Sequence, residues 1–85
     1  MRYRIELTRK AKKFLASQSP TIQRQLGDKI DSLEQNPRPA VCKQLEGNRD
    51  LYRVRSGDYR IIYTIEDNQL FVLVVQIGHR RDVYR

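Results

Sequence analysis

The amino-acid sequence predicts an α+β domain: an N-terminal strand, a helical hairpin and then an antiparallel β-meander, with the helices packed on one face of the sheet. Three observations carry this. Apolar residues alternate over residues 1–7, recur at helical spacing from Ala11 to Leu33, and return to period two from Leu51 onward. The 85 residues make a single domain, 1–85, without internal repeats or linkers. With 39% hydrophobic and 32% charged residues, and only 4 Gly and 3 Pro, the composition is that of a globular chain rather than a disordered tail.

Tyr3, Ile5 and Leu7 alternate with Arg2, Arg4 and Glu6, the period of a half-buried strand. Thr8 supplies a capping oxygen for a short amphipathic helix in which Ala11, Phe14 and Leu15 form the apolar side and Lys10, Lys12 and Lys13 surround it; the helix ends near Ser17. Ser19-Pro20 starts a second helix, because proline lacks an N–H that would have no partner in a first turn. Ile22, Leu26, Ile30 and Leu33 form its stripe, and Pro37 and Pro39 end it. Residues 40–50 have weak periodicity and read as a connection with Leu45 tucked inward.

Seventeen Lys and Arg against ten Asp and Glu give a formal charge of +7, which points to a polyanionic partner such as nucleic acid or an acidic protein. The single cysteine, Cys42, excludes an intrachain disulfide and fits a reducing, cytoplasmic setting. One His and one Cys cannot assemble a zinc site of the usual Cys/His spacing within the chain. No apolar run is long enough for a membrane span, and charges occupy the N-terminus where a signal peptide needs apolar residues, so the expectation is a soluble chain starting at or near Met1.

Strand parity places the charges. Arg53 and Arg55 share a sheet face with Tyr52 and Val54 opposite. If the Ser56-Gly57-Asp58 turn has a two-residue loop, either Gly57-Asp58 or Ser56-Gly57, Arg60 joins them; a three-residue loop with a bulge would break the parity. Continued through an Asp67-Asn68 turn, the count puts Ile62, Thr64, Phe71, Leu73, Val75 and Ile77 on the arginine side, and His79 as well if Gly78 does not bend the strand. Tyr59, Ile61, Tyr63, Ile65, Leu70, Val72 and Val74 fall under the helices. Three guanidiniums within about 7 Å repel by roughly 0.5–1 kcal/mol per pair even in a water-like dielectric, so something should compensate. Asp50 has the wrong parity, Asp58 is in the turn and Glu66 lies about 20 Å along the strand. Glu46 or Asp82 could fold over; otherwise the face is an anion site.

The whole chain resembles a RelE-type toxin of the RelE/ParE superfamily, the toxic half of bacterial type II toxin–antitoxin pairs. The residues that carry the resemblance are the Leu45–Gly47 L-x-G segment, the Y-R-V-R and G-D-Y-R-I-I-Y hairpin from Tyr52 to Tyr63, and the closing G-H-R-R-D-V-Y from Gly78 to Tyr84. The resemblance implies the RelE-like microbial ribonuclease fold and a ribosome-dependent endoribonuclease that needs no metal or cofactor. In such enzymes the ribose 2′-OH attacks the adjacent phosphorus in line, which calls for a cationic clamp, a proton acceptor and a stabiliser of the leaving oxygen. It further implies a RelB-like antitoxin encoded by the adjacent gene, hetero-oligomeric complexes able to bind operator DNA through the antitoxin, and the 70S ribosome with its messenger RNA as target.

Carried over by position, Arg53 and Arg55 stand where the best-known relative has lysines. Arg60, Arg80 and Tyr84 match its arginine and tyrosine positions. Arginine clamps phosphate well but is a poor proton acceptor, so Arg53, Arg55 and Arg60 are expected to act electrostatically, Arg80 on the scissile phosphate or leaving oxygen, and Tyr84 or His79 as the base. Lys10, Lys12 and Lys13 are candidates for ribosomal RNA phosphates, or simply a solvated face. Two other readings of the same fold stay open: a ParE-like inhibitor of DNA gyrase, and a catalytically inactive module that binds an antitoxin or nucleic acid.

Overall fold

A computed structural model describes residues 2–40, 42–45 and 51–79. The chain runs β1 (Arg4–Leu7), α1 (Arg9–Ala16), α2 (Pro20–Ser32), β2 (Lys43–Gln44), β3 (Tyr52–Ser56), β4 (Tyr59–Glu66) and β5 (Phe71–His79). The five strands form one sheet in the order β1-β5-β4-β3-β2, with β1 parallel to β5 and every other pair antiparallel. Among the described residues no helix is long and apolar enough to cross a membrane.

Both helices start where capping chemistry places them. Thr8 Oγ1 accepts from the Ala11 N–H at 3.2 Å and Ser19 Oγ from the Ile22 N–H at 3.3 Å, each satisfying one of the amides a first turn leaves over. α2 ends at Ser32, ahead of Pro37 and Pro39, and the Tyr3 N–H donates to the Glu34 carbonyl at 2.8 Å just beyond it. One face of the sheet lies under the helices. Its fully buried residues include Leu26 and Leu33 from the helical side and Val54, Ile61, Tyr63, Val72 and Val74 from the strands. Tyr3, Ile5, Leu7, Tyr52, Tyr59 and Ile65 pack half-buried around them, as their parity predicts.

β2 is a strand where periodicity indicated only a connection; two residues are too few for alternation to register. The β3–β4 loop is Gly57-Asp58, the first of the two alternatives, with Gly57 at φ +62° in the left-handed region that the first central residue of a type II′ turn requires. Between β4 and β5 the loop has four residues, 67–70, closed by Leu70 at φ 49°. Four residues preserve the parity of two, so Phe71 and Leu73 fall on the expected side. Beyond them the register shifts: Tyr63 pairs with Val74 but Ile62 pairs with Gln76, leaving Val75 as an extra residue in a β-bulge. Ile77 and His79 are thereby moved to the helix face, contrary to the expected parity, and Gln76 and Gly78 take their place on the other. Thr8 holds the bulge, its N–H donating to the Val74 carbonyl at 2.9 Å and its hydroxyl to the Val75 carbonyl at 2.7 Å.

The end of the sheet remote from the Gly57 turn is tied by Asp67. Its carboxylate accepts two hydrogen bonds from the Arg38 guanidinium, at 3.1 and 2.9 Å, and one from the Tyr3 hydroxyl at 2.7 Å. The Arg38 guanidinium also lies 5.3 Å from the Tyr52 ring centroid, and Tyr63 stacks on Tyr52 while its hydroxyl donates to the Pro37 carbonyl at 2.7 Å. Burial, reinforced by Cys42, pushes the Tyr63 phenol well above its usual range. Arg38 first and Tyr3 second hold the Asp67 carboxyl down to about 2 from its ordinary 3.8. A carboxyl depressed by folding contributes stability that is complete above the unfolded value and is lost as pH falls through the folded one. The stability difference between wild type and Asp67→Asn is therefore expected to stay constant from about pH 8 down to about pH 5 and to close between about pH 4 and pH 2. Urea denaturation across that range checks it; a difference unchanged at the acid end would show that the ionised carboxylate is not what the clamp depends on.

Candidate functional site

The face turned away from the helices carries the arginines. In the β3–β4 ladder Arg53 stands opposite Ile62 and Arg55 opposite Arg60, so all three project to one side. Directly opposite residues of an antiparallel pair are about 4.5–5.5 Å apart at Cα, and positions i and i+2 about 7 Å, so the cluster is as tight as parity indicated. Arg55 is exposed and Arg53 half-buried, whereas Arg60 is only 6% exposed. The face is therefore closed over its middle: Ile62, beside Arg60 on the same face, is 4% exposed. On β5 the residue opposite Arg60 is Gly78, which contributes no side chain of its own to that flank.

Charge on this face is segregated. Lys43, on β2, pairs with Arg53 and adds a fourth cation at the same end. The acids Glu6 and Glu66 sit at the other end, Glu66 roughly 20 Å along β4 from Arg60, and Glu6 is already engaged by Arg4 at 3.4 Å. Glu46 and Asp82, which could neutralise the cluster, lie outside the described residues.

The turn that presents Arg55 and Arg60 is supported from behind by α2. Gln25 Nε2 donates to the Ser56 carbonyl at 2.9 Å and to its hydroxyl at 3.3 Å, and Ser56 is 7% exposed. Gln25 also closes the space over Gly57, where an added Cβ would come within 2.7 Å of its amide nitrogen.

His79 does not join the arginines. It pairs with Tyr59 on the helix face, 5.5 Å from that ring in an edge-on arrangement, and Tyr59 in turn meets Phe14 at 6.1 Å and donates to Gln18 Oε1 at 3.4 Å. The Val75 bulge is the physical cause of the difference. Lys10, Lys12 and Lys13 are exposed on α1, in the layer on the opposite side of the sheet from the arginines, so the two cationic surfaces are separate. Arg80 and Tyr84 lie outside the described residues. Lys43 was missed by sequence reasoning, since the only signal was a two-residue strand with no turn motif before it. Among the described residues no group of three His, Cys, Asp or Glu is placed to hold a metal ion.

Chemically, a row of guanidiniums and an ammonium across neighbouring strands suits a phosphate backbone: arginine supplies fork-shaped donors and lysine a point charge. Residues 5–84 match the family model described as the ParE toxin of the type II toxin–antitoxin system parDE. A putative RelE-like toxin protein of Escherichia coli is 33% identical, with 99% of this chain and 92% of that protein covered. The mRNA interferase toxin RelE of Escherichia coli strain K12 is 30% identical, with 94% and 85% covered. Among solved structures, the archaeal RelE–RelB complex from Pyrococcus horikoshii OT3 superposes with a TM-score of 0.83 at 31% identity, covering 98% of this chain and all of the matched one.

Two effects meet at Gly57, the loss of left-handed freedom and the clash with Gln25. Gly57→Ala is expected to destabilise the fold by about 1–3 kcal/mol, and Gln25→Ala by about 1 kcal/mol through its lost hydrogen bonds. Removing the clashing amide relieves part of the first effect. The double variant should therefore be less destabilised than the two singles together, a non-additivity that a thermodynamic cycle by urea denaturation measures directly.

Proposed function

The chain belongs to the RelE/ParE superfamily of toxins from type II toxin–antitoxin systems, and from that premise we propose that it is a ribosome-dependent messenger-RNA endoribonuclease. The observation that carries the reading is the Arg55–Arg60 pair beside Arg53, three cations held on one face at the spacing of a phosphate clamp. A relative similar over nearly the whole chain bears the name mRNA interferase, which favours the same chemistry.

In this reading the 2′-oxygen attacks the neighbouring phosphorus, a bond to the 5′-oxygen breaks, and the products are a 2′,3′-cyclic phosphate and a 5′-hydroxyl. Negative charge grows on the non-bridging oxygens in the transition state, and in this reading Arg53, Arg55 and Arg60 stabilise it. The 2′-proton must go to a base. With His79 on the helix face beside Tyr59, that role falls to the Tyr84 phenolate, while Arg80 stabilises the leaving 5′-oxygen, which takes a proton from solvent water to become the 5′-hydroxyl. Lys10, Lys12 and Lys13, on the far side of the sheet, are suited to ribosomal RNA phosphates rather than to the scissile one.

The expected partner is a RelB-like antitoxin from an adjacent reading frame, since the similar archaeal toxin was solved as a RelE–RelB complex. An acidic or amphipathic segment of that antitoxin masks the cationic face, and the resulting hetero-oligomer binds operator DNA through the antitoxin. The working location is the cytoplasm, where ribosomes are.

The match to a ParE family model favours a second reading, inhibition of DNA gyrase. Primer extension on ribosome-bound message separates the two. Wild type should cut within the message, and Arg55→Ala, at an exposed position whose loss leaves the core untouched, should slow cleavage by about 10- to 100-fold, while Arg60→Ala with Arg80→Ala should abolish it. Intact transcripts in cells that the wild-type protein nevertheless arrests, together with loss of gyrase supercoiling activity in vitro, would decide for the ParE-like reading.

A further inference from the structure

Lys43 has no counterpart in the reaction described above, yet the sheet register puts it in line with the clamp. β2 is only two residues long, and its Lys43 stands opposite Arg53. Arg53 stands opposite Ile62 on β4, two residues from Arg60, so the cations occupy β2, β3 and β4 in succession. Adjacent strands are about 4.8 Å apart and residues i and i+2 about 7 Å, which sets Lys43 and Arg60 roughly 12 Å from each other before their side chains are extended. That separation suits two successive phosphates of a single strand, one held at each end of the row. Lys43 is exposed, and the described acids of this face, Glu6 and Glu66, lie at its other end.

We infer that Lys43 is a substrate-positioning residue that contacts the RNA phosphate next to the scissile one, so that the message crosses the strands from the Gly78 side of Arg60 toward β2. This rests on the nuclease reading above, and extends it by giving the substrate a direction across the sheet and a second anchored phosphate. A point charge suffices there, because the flanking phosphate only has to be held; it gains no charge during the reaction.

The test uses the full chain with programmed ribosomes carrying a fluorescent message, in one form cleavable and in another blocked by a 2′-deoxy nucleotide at the cut. Lys43→Ala should weaken binding of the blocked message about fivefold, with the cleavage rate at saturation unchanged, and should lower the slope of log affinity against log salt by about 0.7, the single-strand increment for one phosphate. Lys43→Arg should restore affinity. Placing an uncharged methylphosphonate at the phosphate adjoining the cut should erase the difference between wild type and Lys43→Ala. Unchanged affinity and salt slope in Lys43→Ala, with wild type still cleaving, would overturn the inference and leave the nuclease reading standing. A fall in saturated rate with affinity intact would also overturn it, by putting Lys43 on the reacting group. If wild type binds the message in a Lys43-dependent way without cutting it, the contact stands and the nuclease reading fails; if it neither binds nor cuts, both fail.

Discussion

The hydrogen-bonded register between β3 and β4 is the constraint on which the rest of the site depends. Arg55 and Arg60 are held opposite each other against a repulsion of roughly 0.5–1 kcal/mol per guanidinium pair, and the backbone ladder is what holds them. A slip of one residue would relieve that repulsion at a far greater expense. It would turn one strand over relative to the other, sending either Arg53 and Arg55 or Arg60 toward the helices and Val54 or Ile61, both fully buried, toward the opposite face. The two-residue Gly57-Asp58 loop and the Gln25 hydrogen bonds to Ser56 keep the hairpin in that register from opposite sides. Charge concentration is thus a by-product of core burial, since the residues that lock the register are apolar and sit on the other face.

The Val75 bulge plays the corresponding role on the second ladder. Without it, Ile77 would face away from the helices and Gln76 would be pressed into the core. With it, Ile77 is 3% exposed within the core, and glycine rather than a larger residue falls beside Arg60. The same slip carries His79 to the Tyr59 ring and away from the arginines, so one extra residue decides the chemistry available on each face. The bulge is held from outside the ladder by Thr8, which also caps α1; its hydroxyl donates to Val75 while accepting from Ala11. Helix start and strand phase are therefore coupled through a single side chain.

Most of the fold was legible because each element has a local cause: Thr8 and Ser19 for helix starts, period two for β1, β3 and β4, and Gly57 for the turn. The arginine row followed from parity over a short, unbroken hairpin. The bulge was not legible in the same way, since Phe71 to Val75 is an uninterrupted apolar run and alternation cannot report where its phase slips. A trace of it was present: uniform parity assigned the polar Gln76 to the helix face and apolar Ile77 to the arginine face, an inversion that a register shift resolves. Lys43 and the Asp67 clamp were invisible for another reason. Both depend on segments brought together across the sheet, with no spacing in the chain to announce them.

The two ends of the sheet divide the work. At the Asp67 end, Arg38 is spent on a bidentate carboxylate, a tyrosine hydroxyl shares the same acid, and the Tyr52–Tyr63 stack is closed over it. Charges there are matched within the protein, and their contribution is to hold β1 and the segment after α2 to the β4–β5 loop. At the Gly57 end the described cations are gathered on adjacent strands, and the acids Glu6 and Glu66 of the face lie toward the other end. Such a concentration of like charge on one face suits a polyanion, the class of partner proposed above. Binding energy at this face is for that reason expected to be salt-sensitive while the fold, anchored at the other end and by the apolar layer under the helices, is not. On the proposed reading, recognition and stability separate chiefly by face, because the arginines lie on one side of the sheet and the apolar layer under the helices on the other.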